Sequence, residues 1–305
     1  MKPKTIRDLI PAIFLALFML FSGAVSAKAE EALFEPENFV LIRGGEFTMG
    51  SPEGEVGRFN VFIYESQHPV QVSNFSMSRY AVTVGEFRKF VEASGYQTDA
   101  EKGGFSNIVY KGEKKKGDGV NWRYGVSGSV RPLLEENHPV LHVSWNDAVA
   151  YCKWLSTITG KYFRLPTEAE REYACRAGRG TPFNTGENLT TEQANYNGNY
   201  PYDHNPKGVY RENTVTVNSF APNAWGLYNM HGNVWEWCSD WFGGKYYFNS
   251  PYSAINPAGP ATGSIRVIRG GSWLNPAETC RSATRSGSIP NAGSNLIGFR
   301  VVFVP

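Results

Sequence analysis

Short alternating runs of hydrophobic and polar residues predict the β-structure of this chain. Residues 39–50 are typical of two short strands joined at Gly44-Gly45, and residues 69–77 are typical of a third. Two further strands are expected at residues 264–269 and 299–304. These runs are short and scattered along the chain, as in an α+β fold that contains much irregular structure.

Three stretches carry the start signal of an amphipathic helix. In each one a serine or threonine is followed three residues later by an acidic residue, which is the capping-box pattern. The three starts, with their acidic partners, are Thr83 with Glu86, Ser144 with Asp147, and Thr167 with Glu170. We expect these helices to end at Gly95, near Gly160 and at about Arg176.

The rest of the chain is rich in residues that favour loops. Its 305 residues include 32 glycines and 18 prolines. Residues 96–138 are predicted to be a mostly irregular insertion, with Lys114-Lys115-Lys116 at a solvated loop tip. Because no linker divides the chain, one domain over residues 38–305 is expected, with an α+β fold of few helices, short strands and much irregular loop.

The first residues have the pattern of an export signal. Lys2, Lys4 and Arg7 precede an apolar run at residues 9–21, and Val25-Ser26-Ala27 has the small-residue form of a cleavage site. We predict a signal peptide over residues 1–27, a short linker at 28–37, and a periplasmic or secreted product without membrane insertion. An uncleaved membrane anchor is the alternative for the same residues. The formal net charge is +2, so no nucleic-acid partner is indicated.

Export would make the four cysteines of the chain possible disulfide partners. They are Cys152, Cys175, Cys238 and Cys280, and an oxidising compartment would permit three complete pairings among them. Cys152 lies in the apolar pattern of the second helix, where a buried free thiol is the ordinary state.

The stretch from Gly226 to Cys238 combines two glycines with two tryptophans and two oxygen-bearing side chains. Trp235 and Trp237 alternate with polar neighbours, as at the start of a short strand. Asn229 and Glu236 can each offer a hard oxygen, and the turn between them can offer carbonyls, which are ligands that Ca²⁺ accepts. A tryptophan-cored turn with Glu236 hydrogen-bonded to backbone explains the same residues without a metal.

Seven motifs in order strongly resemble the formylglycine-generating enzyme family, the sulfatase-modifying factor domain. The resemblance covers about residues 38–304. The motifs are Phe47-Thr-Met-Gly50, His142-Val-Ser-Trp-Asn-Asp-Ala148, Phe163-Arg-Leu-Pro-Thr-Glu-Ala-Glu170, Asn223-Ala-Trp-Gly-Leu-Tyr228, Gly232-Asn-Val-Trp-Glu-Trp237, Arg269-Gly-Gly-Ser-Trp273 and Gly298-Phe-Arg300.

The resemblance implies a variant of the C-type-lectin fold in which calcium ions hold loops in place. One calcium site of the family matches the side chains of Asn229 and Glu236 and the carbonyls of Gly232 and Val234. A second matches the side chain of Asn195 and the carbonyl of Tyr196, with its remaining ligands unassigned. Ca²⁺ is therefore expected as a structural cofactor.

The resemblance also implies a copper-dependent oxidation that this chain is not equipped to perform. In the family, two cysteines bind Cu(I) at three and eight residues after the serine of Gly-Gly-Ser, which is Ser272 here. The matching positions hold Asn275 and Cys280, so one soft ligand is replaced by a hard one. The chain is also about three residues shorter here than the copper enzymes, which moves Cys280 out of that register. Copper is not expected.

A disulfide is the other use that the resemblance suggests for Cys280. Cys175 lies in a segment whose family counterpart pairs with a cysteine near the position of Cys280. A Cys175–Cys280 disulfide is therefore expected in an exported chain.

Three functions remain open at this stage. The first is an accessory or maturation factor for a protein or small-molecule client in the periplasm; the second is an oxidoreductase of altered, formylglycine-generating-like chemistry. The third is a lectin-like display protein with a variable segment at 269–300. The candidate cleft comprises Trp235, Ser272, Trp273, Asn275, Cys280, Arg281 and Arg285, and scaffold salt bridges are the alternative for both arginines.

Overall fold

The computed structural model describes residues 36–58, 65–110, 112–247 and 254–304. The predicted signal peptide and its cleavage site lie outside the described residues. No helix of these four ranges is both long and apolar enough to cross a membrane.

Within the described ranges, thirteen short strands and four α-helices alternate with long loops. The strands are β1 Phe39–Ile42, β2 Gly45–Met49, β3 His68–Val72, β4 Phe75–Ser78, β5 Phe105–Tyr110, β6 Glu113–Asp118, β7 Phe163–Arg164, β8 Trp235–Trp241, β9 Ala254–Ile255, β10 Arg266–Arg269, β11 Arg285–Ser288, β12 Ile297–Gly298 and β13 Val302–Phe303. The helices are α1 Val84–Ser94, α2 Asp99–Gly103, α3 Trp145–Thr159 and α4 Glu168–Arg176.

All three predicted helix starts are confirmed. Thr83, Ser144 and Thr167 each accept a hydrogen bond from the backbone of the acidic residue three positions later, which bonds back to the cap. Gly95 and Gly160 end α1 and α3 in the left-handed conformation, as expected. The third predicted helix corresponds to α4 and ends at Arg176 as expected. Its left-handed cap is an alanine, Ala177.

The predicted strand at residues 69–77 is two strands that belong to different sheets. β3 pairs with β2, and β4 pairs with β1. The chain crosses between the sheets at Ser73 and Asn74, where the Asn74 side chain accepts a hydrogen bond from the Gly44 amide. A Cβ at Gly44 would lie 2.3 Å from the Val72 carbonyl oxygen, so the crossing requires glycine there.

The prediction of a mostly irregular insertion at residues 96–138 is wrong in its first half. α2 begins there with a fourth capping box, from Thr98 to Glu101, and β5 and β6 form an antiparallel hairpin. The three lysines 114–116 are exposed, as expected, but they lie within β6 and not at a loop tip. Hydrophobic periodicity missed β6 because its exposed lysines carry no apolar face.

Two four-stranded sheets form the centre of the fold. One has the order β1-β4-β13-β7 and the other the order β11-β10-β8-β12, with β12 parallel to β8. An aromatic core lies among α1, α3 and these sheets, and it includes the fully buried rings of Phe87, Trp237 and Phe299. β8 therefore carries its second residue, Glu236, between Arg269 of β10 and Gly298 of β12.

Candidate functional site

Asn275 is bonded to two of the predicted cleft residues. Its Oδ1 accepts hydrogen bonds from Ser272 Oγ at 2.6 Å, from Ser272 N at 3.1 Å and from Trp235 Nε1 at 2.9 Å. Three donors at one amide oxygen hold the loop after Gly271 against the start of β8. Asn275 thus occupies a position where the family resemblance implies a thiolate, and its amide cross-links the loop.

Cys280 does not face Asn275 as a second ligand would. The Cys280 side chain packs against Gly271, where an added Cβ would lie 2.5 Å from Cys280 Sγ. Its thiol donates to the Pro276 carbonyl at 3.7 Å, and burial raises the pKa of this thiol well above its ordinary range. The residue is therefore a neutral core thiol, which is a poor ligand for Cu(I).

Arg281 and Arg285, both named as cleft residues, are scaffold residues in the structure. Arg281 is buried and bonds Glu65 through two guanidinium nitrogens, at 2.9 and 3.0 Å, and it also pairs with Glu55. Arg285 donates to Glu168 of α4 at 2.7 Å, with 3% of its side chain exposed. Because both guanidiniums are already neutralised by buried carboxylates, neither is free for a substrate.

Trp273 is also a core residue and does not line a cleft. Its ring is 1% exposed, its Nε1 donates to the Asn295 carbonyl at 3.1 Å, and Tyr210 stacks on it with ring centroids 6.4 Å apart. Of the seven predicted cleft residues, the structure therefore brings only Trp235, Ser272 and Asn275 into one bonded group.

The expected Cys175–Cys280 disulfide is not formed. All four cysteines are free and buried. Cys175 Sγ lies 3.7 Å from Ser282 Oγ and beside the ring of His231. Cys280, two positions before Ser282 in the sequence, packs against Gly271. The neighbours of Cys175 Sγ thus include the Ser282 hydroxyl and the Met230 carbonyl. His231 donates from Nδ1 to the Cys280 carbonyl and accepts at Nε2 from the Asn184 amide.

Glu236 is occupied by two arginines. Its Oε2 accepts from Arg171 Nε at 2.6 Å and from Arg300 Nε at 2.7 Å, and its Oε1 accepts from Arg300 Nη2 at 2.7 Å. Burial alone would raise the pKa of Glu236, but the two guanidiniums outweigh burial and hold that pKa below its ordinary value. A carboxylate between two cations does not fit the role of a calcium ligand, because a third cation would meet a local charge that is already positive.

The two predicted asparagine ligands fit a cation better. Asn195 Oδ1 and Asn229 Oδ1 are both buried acceptors without a hydrogen-bond partner in the described structure. An unpaired buried acceptor is costly, and hard oxygens of this kind are what Ca²⁺ binds. Asn229 also adopts a left-handed backbone with φ of 50°, an uncommon state that favours asparagine or glycine.

The two loops that carry these asparagines lie side by side. Asn233 N donates to the Asn195 carbonyl at 2.7 Å, and a Cβ at Gly232 would lie 2.3 Å from that same oxygen. Tyr196 is buried next to them and donates its hydroxyl to the Leu189 carbonyl. The glycine at 232 therefore permits the close approach of the two predicted calcium-binding segments.

Comparison with known proteins identifies the family. A family model described as "Sulfatase-modifying factor enzyme 1-like domain" matches residues 24–304. The chain belongs to this family. It is 38% identical over 310 residues to the formylglycine-generating enzyme of Streptomyces coelicolor, covering 91% of this chain and 95% of that protein. It is 38% identical over 294 residues to the Bos taurus enzyme, covering 87% of this chain and 74% of the relative.

A solved structure has the same fold. "Structure of PvdO from Pseudomonas aeruginosa" matches with a TM-score of 0.70 and 32% identity, over 88% of this chain and 94% of that one. The predicted α+β fold, a C-type-lectin-like variant of the formylglycine-generating enzyme type, is confirmed.

Several residues of the centre were not predicted. Arg171 and Arg300 hold Glu236, and Glu65 and Glu168 hold the arginines at 281 and 285. Arg300 stands inside one of the seven motifs, so its presence was visible, but its partner was not. Nothing in the sequence around Glu65 pairs it with Arg281, since 216 residues separate them.

Proposed function

We propose that this chain is an exported accessory or maturation factor that keeps the fold of its family without the copper oxidase chemistry. The observation that carries the proposal is the state of the two copper positions. Asn275 is engaged through its oxygen with Trp235 and Ser272, and Cys280 is a neutral thiol packed on Gly271. A linear Cu(I) site needs two soft ligands held close together, and these two side chains do not supply it.

The client of such a factor is a protein or small molecule of the compartment that the export signal predicts, the periplasm or the exterior. An active oxidoreductase of altered chemistry is the second candidate, and the 38% identity to formylglycine-generating enzymes favours it. The lectin-like display function has no comparable support from the cleft geometry. Copper binding separates the first two candidates.

The copper test uses the purified mature chain with a colorimetric Cu(I) chelator as competitor. We expect no stoichiometric Cu(I) binding and no conversion of a Cys-x-Pro-x-Arg peptide to the aldehyde, as read by mass. The Streptomyces coelicolor relative serves as the positive control. Copper-dependent turnover that disappears in Cys280→Ala would overturn the accessory role and establish the oxidoreductase.

Asn275→Cys sharpens this test. Restoring the missing sulfur should still give no two-sulfur Cu(I) site, because Cys280 Sγ is directed at Gly271 and the Pro276 carbonyl. Alkylation of denatured protein without reductant should label all four native thiols and the added one. Tight Cu(I) binding by this variant would show that Cys280 Sγ can turn away from Gly271 and reach the sulfur introduced at position 275.

Structural calcium is part of the same proposal. The unpartnered oxygens of Asn195 and Asn229 support it, with carbonyls at Tyr196, Gly232 and Val234 as further ligands; Glu236 is left out because of its arginines. Binding to the folded state adds RT ln(1+[L]/Kd), roughly 2.7 kcal/mol at a hundredfold excess over Kd. Chelation should therefore lower the melting temperature of the wild type.

The matched variants are Asn195→Ala with Asn229→Ala, and Asn199→Ala as the control. Asn199 is an exposed asparagine of the same loop region. The double variant should melt at the same temperature with and without chelator, while the control should respond as the wild type does. Equal melting of the wild type under both conditions would remove calcium from the proposal.

A further inference from the structure

A cavity of about 380 Å³ lies beside the turn that carries Asn229. Its lining includes Leu227, Met230 and His231 from that turn and Arg179, Glu192 and Gln193 from two other loops. The volume lies within the usual range for small-molecule sites. The position is distinct from the Trp235–Ser272–Asn275 group, none of whose members lines it.

Two polar side chains in the floor of this cavity, Asn223 and His231, are held in place by hydrogen bonds within the fold. Asn223 donates from Nδ2 to the Ala174 carbonyl at 2.8 Å, and its Oδ1 accepts from the amides of Trp225 and Leu227. Both ring nitrogens of His231 are engaged as well. The exposed side chains of Ala221, Pro222 and Ala224 add apolar surface to the same lining. A ligand therefore meets a surface whose Asn223 and His231 side chains are already fixed in place.

The rim is different, because its charged groups have no partner. Arg179 and Glu192 are exposed, and neither forms an ion pair with any residue in the described ranges. Gln193 accepts at Oε1 from Thr190, which leaves its amide N–H groups as donors. The rim thus offers two donor groups suited to a carboxylate and one acceptor suited to an ammonium.

We propose that this cavity binds a small zwitterion of the amino-acid class with an apolar side chain. Arg179 and Gln193 bind its carboxylate, and Glu192 binds its ammonium group. The exposed apolar residues Ala221, Pro222 and Ala224 contact its side chain. Opposite charges on one small molecule match opposite unpaired charges on one rim. The inference goes beyond the proposed accessory function and does not depend on it, since copper chemistry involves neither Arg179 nor Glu192.

The test titrates the mature chain calorimetrically with L-leucine and L-methionine. Two probes dissect the charges: 4-methylpentanoate is leucine without the ammonium, and isopentylamine is leucine without the carboxylate. We expect leucine or methionine to bind with a millimolar or better Kd. Each single-charge probe should bind roughly tenfold more weakly, since it loses one charge-assisted contact.

The variants assign each contact. Arg179→Gln should weaken leucine roughly tenfold and leave isopentylamine unchanged, and Glu192→Gln should weaken leucine equally and leave 4-methylpentanoate unchanged. Arg43→Gln and Glu187→Gln are the matched controls, because both are exposed and lie outside this cavity. Melting temperatures close to that of the wild type confirm that the variants are folded.

Three results would overturn the proposal. One is the absence of binding by both amino acids up to about 10 mM. Another is a single-charge probe that binds as tightly as leucine. The third is leucine binding that is unchanged in both the Arg179→Gln and the Glu192→Gln variant. If that unchanged binding also needs added calcium and is lost to chelator, the ligand lies on a metal at Asn229 instead.

Discussion

At the scale of single residues, the fold shifts the pKa values of two buried carboxylates of β8 in opposite directions. Glu236 lies between two guanidiniums that keep it ionised. Asp240, four residues later on the same strand, is fully buried near Glu168, and burial together with that neighbouring carboxylate raises the pKa of Asp240 to about 7. Its Oδ1 has no hydrogen-bond partner in the described structure, while its Oδ2 accepts from the Glu168 amide.

Asp240 should make stability depend on pH with a definite sign. Its folded pKa of about 7 lies above the ordinary value of 3.8, so the folded state binds the proton more tightly. The contribution of Asp240 to the free energy of unfolding therefore falls as pH rises between these two values. Asp240→Asn should stabilise the protein at pH 8 by a few kcal/mol and flatten the decline between pH 5 and pH 8.

Urea denaturation at pH 5 and pH 8 measures this effect. Asp118→Asn is the matched control, because Asp118 is exposed at the end of the inserted hairpin. The control should follow the wild type at both pH values. An Asp240→Asn protein that is less stable than the wild type at pH 8 would show that the ionised carboxylate is favoured by the fold.

At the scale of elements, α4 shows what the sequence could and could not predict. Its start, its end and its capping box follow from local residue order, and all three were predicted. Its burial was not predictable, since the helix has four charged side chains in its first five residues and every residue of it is buried. The explanation is tertiary: Glu168 pairs with Arg285, and Glu172 pairs with Arg176 and Arg269.

The cap of α4 can be tested by itself. Thr167 Oγ1 accepts from the Glu170 amide at 3.1 Å, and the Glu170 side chain accepts from the Thr167 amide at 2.8 Å. Thr167→Ala should lower the free energy of unfolding by about 1 kcal/mol. Thr157→Ala, at an exposed position of α3, should change it by less than about 0.5 kcal/mol. Equal losses in denaturant titrations would mean that the box contributes nothing specific.

The same contrast explains the errors in the predicted elements. Local signals identify a helix cap, but residues 69–77 divide between two sheets because of Asn74 and Gly44, which meet only in the fold. The copper positions behave likewise: sequence identified Asn275 as a replacement, while its bonds to Trp235 and Ser272 required the structure. The expected disulfide is likewise not formed, and the contacts of Cys175 Sγ with Ser282 Oγ and the His231 ring arise only in the fold.

At the scale of the whole molecule, Glu236 joins distant parts of the chain. It binds Arg171 of α4 and Arg300 near the C-terminus, and these arginines donate in turn to the Met230 and Tyr228 carbonyls. The side chains of Glu236, Arg171 and Arg300 are at most 2% exposed. A buried group of this kind is costly to break, because each partner left behind is an uncompensated charge.

Glu236→Gln should therefore be one of the most destabilising single changes in the chain. We expect a loss of roughly 3–5 kcal/mol in the free energy of unfolding. Glu46→Gln, at an exposed position of β2, is the control and should have little effect. Denaturant titration decides: a loss of under about 1 kcal/mol would mean that water or other groups reach the arginines.

The sheet that contains β1, near the start of the described chain, is completed by β13, near its end. β13 lies between β4 and β7, so the β1–β4 pair is joined to β7 only through Val302 and Phe303. Because these residues follow β1, β4 and β7 by long stretches of chain, this long-range pairing is expected to form late in folding. For a protein exported as we propose, late completion of this sheet would favour a chain that is still unfolded when it crosses the membrane.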